Sequence, residues 1–342
     1  MATSGRTLNL CGVLSESKRI INAHSRHFLA LSVLFLLPLS FSLIIFPTLQ
    51  STLTSSQPHS YHHSQTLLRT TTTTTHTPPL QTLALPFLLY SLFYSIFFLT
   101  ASLTITYSTY HGFYGRPVKL AHAAKSLLSS FLPLLATSIA SQLLIALVCA
   151  AFGVFPFAVA KGVQILLGFD EEIDYATNHY FLGLCGVVFV VLALVLVYLK
   201  VNWALACVVV VVESKWGFEP LRRSAYLMRG MRLVSLSLWL LFGTLIAFFV
   251  SAFGSGPMSV NYDFSDVWTC LSFISQTVVG SSFVTMFMLY NIASHAVLYM
   301  YCKALHGELA WEIAEEFARE YVSLPFDDAK VPHVVFVAPL AA

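Results

Sequence analysis

Six apolar stretches bounded by polar segments dominate the chain: Phe28 to Leu49, Leu83 to Tyr107, Phe131 to Phe155, Tyr180 to Val212, Leu233 to Phe253 and Cys270 to Tyr301. At about 1.5 Å of rise per helical residue, each is long enough to cross a hydrocarbon core of about 30 Å. Backbone groups in hydrocarbon must be hydrogen-bonded within the chain, so these stretches predict helices. The expected fold class is therefore all-α, a polytopic membrane bundle of six transmembrane helices. The first stretch is 22 residues long, beyond the roughly 7–15 of a cleaved secretory h-region, which predicts a retained span.

Basic residues then set the sidedness. Fifteen of the eighteen Lys and Arg residues fall in Met1 to His27, Ser108 to Ser130, Glu213 to Arg232 and Cys302 to Ala342. Only Arg69 and Lys161 fall in the alternate segments, and Lys200 lies within a span. Because Lys and Arg in short loops are retained on the cytoplasmic side, both termini are expected there. The chain divides accordingly into a cytoplasmic N-terminal segment (1–27), a six-span membrane domain (28–301) and a cytoplasmic C-terminal helix and tail (302–342). The outer loop at 50–82 is rich in Ser, Thr, His and Pro, with an unbroken Thr run from Thr70 to Thr75, and has too little apolar surface to form a packed core. Plasma membrane and endomembrane are not distinguished.

The polar segments carry a second periodicity. Leu14-x-x-Ser17, Val118-x-x-Ala121 and Leu221-x-x-Ser224 each open a short amphipathic stretch ahead of a span, at offsets of 118−14=104 and 221−118=103. Pro117 and Pro220 precede the second and third copies, where a helix start tolerates proline because its first amides lack intrahelical partners. The pattern suggests three repeats, each an interfacial helix followed by a helical hairpin, with a fourth amphipathic piece from Gly307 to Tyr321. Simple alternation of spans and loops also produces rough periodicity, and that reading stays open.

Composition agrees with the membrane class and narrows the chemistry. The chain is 57% hydrophobic and 10% charged, with a mean hydropathy of +0.75 and a formal net charge of +2. So small a net charge, dispersed over short loops, argues against a nucleic-acid partner. The six cysteines show no ligand spacing and read as packing residues. His59, His62, His63 and His76 share the outer loop without carboxylates or cysteines to complete a site, so no metal is expected. The acidic cluster Asp170, Glu171, Glu172 and Asp174 reads as a solvated face. No nucleophile and base set, HExxH, P-loop or GxGxxG is present, so neither an enzyme nor a cofactor is expected.

Two groups of residues stand out against that background. The first lies in Val208 to Gly230, where a valine run ends on Glu213 and a basic amphipathic segment follows. Glu213 is placed to meet Lys215 or a nearby arginine. On a helical wheel Leu221, Ser224, Ala225, Leu227, Met228 and Met231 share one side, with Arg222, Arg223 and Arg229 beyond its edge. Such a helix can rest its apolar stripe at the acyl boundary while its arginines reach anionic lipid phosphate, although positive-inside charge alone also accounts for them. The second group is intramembrane. Lys200, 13 residues before Glu213, would lie about 20 Å from the boundary on a straight helix. A charge at that depth is usually paired, cavity-facing or snorkelling. Asn202, Asn291 and His295 could share a polar interior with it, or only bond neighbouring helices.

The pattern of Glu213, Gly217, Leu221, Arg222, Arg223, Ser224, Leu227 and Gly230, with Tyr299 to Lys303 and Glu320 to Leu324, resembles a plant family of uncharacterised multi-pass membrane proteins. More distantly, Glu213 to Gly230 resembles the membrane domain attached to some bacterial glycerophosphodiester phosphodiesterases. The resemblance implies topology and plant origin, and no activity. The expected function is a non-catalytic integral membrane protein, such as an organiser, trafficking factor or adaptor, with membrane lipid as the partner. The alternative is a transporter or channel with a polar path around Lys200. Reporter tags at Ala2, within Thr70 to Thr75 and at Ala342 should read inside, outside and inside. An outside C-terminus would overturn the topology.

Overall fold

The computed structural model describes residues 9–55, 80–115, 120–167, 179–254, 267–311 and 313–314. Every regular element among them is helical. Six helices are long and apolar enough to cross a membrane, over Ser25–Gln50, Leu85–Phe113, Ser130–Val163, His179–Glu213, Arg232–Gly254 and Cys270–Leu305. These match the six apolar stretches within a few residues at most ends, and their length and apolarity suit a multi-pass membrane protein.

A short helix α1 (Leu10–Ala23) leads through a break at His24 into α2 (Ser25–Leu31), a π-helical turn (Ser32–Leu36) and α3 (Leu37–Ser55), which together make the first span. The second and third spans lie in α4 (Leu80–Phe113) and α5 (Leu120–Leu167). The fourth is interrupted into α6 (His179–Asn202) and α7 (Ala206–Glu213). After α8 (Glu219–Leu227) come α9 (Arg232–Gly254) and α10 (Val267–Leu305), the fifth and sixth.

The core forms around α10, which packs on α9, α3, α4 and α1. Its inner face, Val284, Ala293, Val297, Leu298 and Tyr299, is almost wholly removed from solvent. Partners come from α1 (Val13, Ile20), the first span (Phe28, Leu36, Leu39, Ile44) and α9 (Leu238, Phe242). Since lipid is as apolar as leucine, tight van der Waals contact and interhelical hydrogen bonds decide such packing. Both are present. Ser40 and Thr285 hydroxyls meet at 2.6 Å between α3 and α10, and His27 meets Ser108 at 2.9 Å between α2 and α4.

Helices α5 and α6 form a different kind of layer. Of their most apolar windows, 6% and 0% respectively is buried, against 39% in the first span. Val187, Phe189, Leu194, Leu143 and Leu147 all point away from protein. The pair attaches to the bundle where α5 packs on α4 and α7 packs on both, around Leu99, Leu103, Leu134, Val210 and Val211.

The three segments expected to open repeats differ in form. The Leu14 and Leu221 segments are helices separated from their spans by breaks, as expected. The second segment is not separate: α5 runs without interruption from Leu120 into the third span. Val118 itself, the loop at 57–79, the acidic cluster at 170–174 and the tail from 315 onward lie outside the described residues. The apolar faces of the two separate helices also point elsewhere than expected. Val13, Ser17, Ile20 and Ile21 of α1, with Leu221, Ser224 and Leu227 of α8, are buried against the bundle. They cap one end of it and leave no stripe to rest on acyl chains.

A close approach of three spans depends on Gly280 of α10. A Cβ added there would lie 2.7 Å from Phe253 Cβ and Cγ of α9 and 3.1 Å from Ile44 of α3. Phe253 Cβ is fixed to its backbone, so relief requires α9 and α10 to separate. We expect Gly280→Ala to destabilise by about 1–3 kcal/mol, the usual range for overpacking, read as a lower midpoint of thermal unfolding in detergent. An unchanged midpoint would show that the three helices do not pack this closely.

Candidate functional site

The polar chemistry of the described residues concentrates where α7 ends. Ser214 takes a left-handed conformation (φ 53°) that stops α7 immediately after Glu213. The next turn needs positive φ at Gly217 (73°), where a glycine carries no steric cost, and Pro220 then opens α8. This tight reversal folds α8 back along α7 and brings Arg223 to Glu213.

Arg223 joins two carboxylates. Its Nε lies 3.2 and 3.3 Å from the Glu213 oxygens, and its Nη1 lies 3.1 Å from Glu308 Oε1. Nη2 donates to the second Glu308 oxygen. Glu213 also accepts the Tyr299 hydroxyl at 3.0 Å and faces Lys215 Nζ at 3.6 Å. The Glu213 and Arg223 side chains are 14% and 22% exposed, so the pair is partly shielded from solvent screening. Burial works against the arginine's charge, but hydrogen bonds and charge from Glu308 and Glu213 outweigh it and raise its pKa above the ordinary value. The cluster ties α7, α8, α10 and the turn following α10 into one unit.

Beside it, Ser224 repairs the break in the fourth span. Its hydroxyl donates to Asn202 O at 2.6 Å and accepts from Leu205 N at 3.2 Å, supplying bonds that the interrupted helix cannot make internally. Buried Leu227 and Met228 hold α8 against the core. Gly230 takes φ 95° with Leu305 close by, turning the chain into α9.

The anticipated site residues separate. Arg223 is engaged by its two carboxylates, whereas Arg222 and Arg229 are exposed. Arg229 lies 5.7 Å from the centroid of the Tyr226 ring, and Arg223 flanks the same ring at 5.6 Å. Trp216 and Phe218, in the loop before α8, are 70% and 60% exposed. The intramembrane four also separate. Asn202 is buried with its amide donating to Tyr198 O, while Lys200 is exposed in the last turn of α6. Lys200 lies within the candidate span His179–Glu213, two residues before the end of α6 at Asn202. Asn291 and His295 share a face of α10, with His295 Nδ1 and Asn291 O at 2.7 Å. Helix α6 packs on α5, α9 and α8, so the two halves are held by different parts of the fold.

Sequence reasoning placed Glu213 beside a lysine or arginine but missed Glu308 and Tyr299 as its companions. Both lie in segments singled out for other reasons, the last span and the amphipathic piece beyond it. Only folding brings positions 85 and 86 residues apart into contact. No three His, Cys, Asp or Glu side chains among the described residues are grouped to hold a metal ion.

Among the described residues the fold is an all-α bundle with six helices long and apolar enough to cross a membrane, and with a charged cluster where α7 ends. The chain belongs to the family described as Domain of unknown function (DUF8558), whose model matches residues 4–332. No curated protein matches it, and no solved structure does.

Charge-assisted hydrogen bonds contribute about 1.5–3 kcal/mol each when shielded. Arg223→Gln should therefore destabilise by about 1–3 kcal/mol. Glu308→Gln should cost less, because Glu213 remains to hold the guanidinium. The two substitutions combined should fall short of the sum. Thermal unfolding of the single and double variants checks this, and strict additivity would show that the two residues do not interact.

Proposed function

We propose that the protein is a non-catalytic integral membrane protein, an organiser, trafficking factor or adaptor, that engages anionic lipid headgroups at its cytoplasmic face through Arg222 and Arg229. The reading rests on one observation: these two arginines are exposed beside the exposed aromatics Trp216 and Phe218, while the third, Arg223, is engaged in the fold. Aromatic and basic side chains together suit the headgroup layer, where rings sit between the apolar and wet regions and guanidinium meets phosphate. Arg223 is then a positioning residue that fixes α8. The lipid-facing surface consists of the loop before α8 and its exposed arginines, since the Leu221 stripe packs against protein. The placement of both termini in the cytoplasm and the plant-family likeness of Glu213 to Gly230 belong to the same reading.

The test uses the full chain in nanodiscs of neutral lipid with and without phosphatidylserine, with lipid retention followed by native mass spectrometry. Each arginine near an anionic surface contributes about 1 kcal/mol. Arg222→Gln with Arg229→Gln should therefore lower selective retention of phosphatidylserine by roughly tenfold or more. The melting midpoint should barely change. Equal retention of neutral and anionic lipid by the unaltered protein would leave these arginines as topology signals.

A further inference from the structure

A cavity of about 430 Å³ lies between α4 and α9, with α10 as its floor and α3 at one side. It exists because α4 and α9 both pack on α10 without packing closely on each other. Its volume falls within the usual range for a small-molecule site, about 300–1,000 Å³.

The lining has a distinct chemistry on each side. One wall is Tyr94 and Phe98 of α4, whose rings are parallel within 6° at 5.9 Å between centroids. The other is α9, where Gly243 and Ala247, one helical turn apart, leave a recess flanked by Ile246 and Val250. Both small residues are exposed, which opens the cavity sideways at the bundle surface. The floor carries Met288 and Asn291. A Cβ added at Gly243 would meet nothing within 4 Å, so the space beside it is empty of protein.

Position decides where an occupant comes from. Gly243 is 11 residues from Arg232, Asn291 is 14 from Leu305 and Phe98 is 15 from Phe113, all within candidate spans. At 1.5 Å per residue these are about 16–22 Å from the charged end of the bundle, between the middle and the far half of a hydrocarbon core of about 30 Å. An occupant therefore enters from the bilayer. Asn291 decides its polarity. Its backbone carbonyl pairs with His295, but its side-chain amide has no hydrogen-bond partner among the described residues. An amide in apolar surroundings is costly unless paired, so the occupant supplies a hydrogen-bonding group.

We propose that this cavity binds a flat, fused-ring membrane lipid bearing one hydroxyl, the chemistry of a sterol. The rigid ring system lies between Tyr94 and Phe98 on one side and the recess at Gly243 and Ala247 on the other, and its hydroxyl pairs with the Asn291 amide. An acyl chain would fill part of the space but leave Asn291 unpaired.

The full chain, reconstituted in sterol-free nanodiscs, is labelled with a diazirine-bearing sterol and, in parallel, with a phospholipid bearing a diazirine acyl chain. The sterol should label saturably, at residues within 243–250 or 288–292, and excess unlabelled sterol should compete while its methyl ether competes about tenfold less well. Gly243→Phe fills the cavity and should reduce labelling at least tenfold with an unchanged melting profile. If that variant does not give a monodisperse protein, Ala247→Leu tests the same wall. Asn291→Leu should remove the preference for the free hydroxyl. Non-saturable labelling, full labelling of the filled variants, equal competition by the methyl ether, or equal labelling by the acyl probe would each overturn the proposal.

Discussion

The Arg223 guanidinium between Glu213 and Glu308 is the contact on which the arrangement of the spans depends. A carboxylate at the end of a valine-rich helix would, if left buried and unpaired, oppose the position it occupies. Pairing it with Arg223, and completing its coordination with Tyr299, turns that liability into a junction of four segments. The other features at this end bring Arg223 to Glu213 and hold it there. They include the left-handed Ser214, the glycine turn at Gly217, the proline start of α8 and the burial of Leu221 and Leu227.

That junction also explains the uneven burial of the bundle. Around α10, helices meet through small residues and paired hydroxyls, as at Gly280 with Phe253 and Ser40 with Thr285. Helix α5 is seamed to α4 through Leu134 with Leu99 and Leu103, whereas the large apolar side chains of α6 and of the rest of α5 face outward. Lipid solvates those side chains as well as protein would, so such a pair needs firm attachment only where it meets α4 and α7. The packing of α7 on α4 and α5, fixed by the charged cluster through Glu213, supplies it.

The same economy governs the basic segment. Three arginines alike in sequence divide between two tasks once α8 folds back: Arg223 turns inward to the carboxylates, and Arg222 and Arg229 remain outside. The fold thereby separates the charge that holds it together from the charge available to a surface. The cavity between α4 and α9 lies where both pack on α10.

The number, type and approximate limits of the spans were legible in the sequence, because the length and apolarity needed to cross hydrocarbon are local properties of a stretch of chain. So was the importance of Glu213 to Gly230, where a carboxylate, glycines and a basic run sit within one reversal. Tertiary structure alone decided which partners those residues take. Glu308 and Tyr299 meet the cluster from far along the chain, and no periodicity marks them for it. It also decided the direction of the amphipathic faces: an apolar stripe signals burial without saying against what, and here α1 and α8 bury theirs on protein. Asn291 shows the same limit. Its position in a span was plain, but that its amide would line an apolar cavity depended on how far apart α4 and α9 stand. That distance is set by three helices at once, and by no single stretch of sequence.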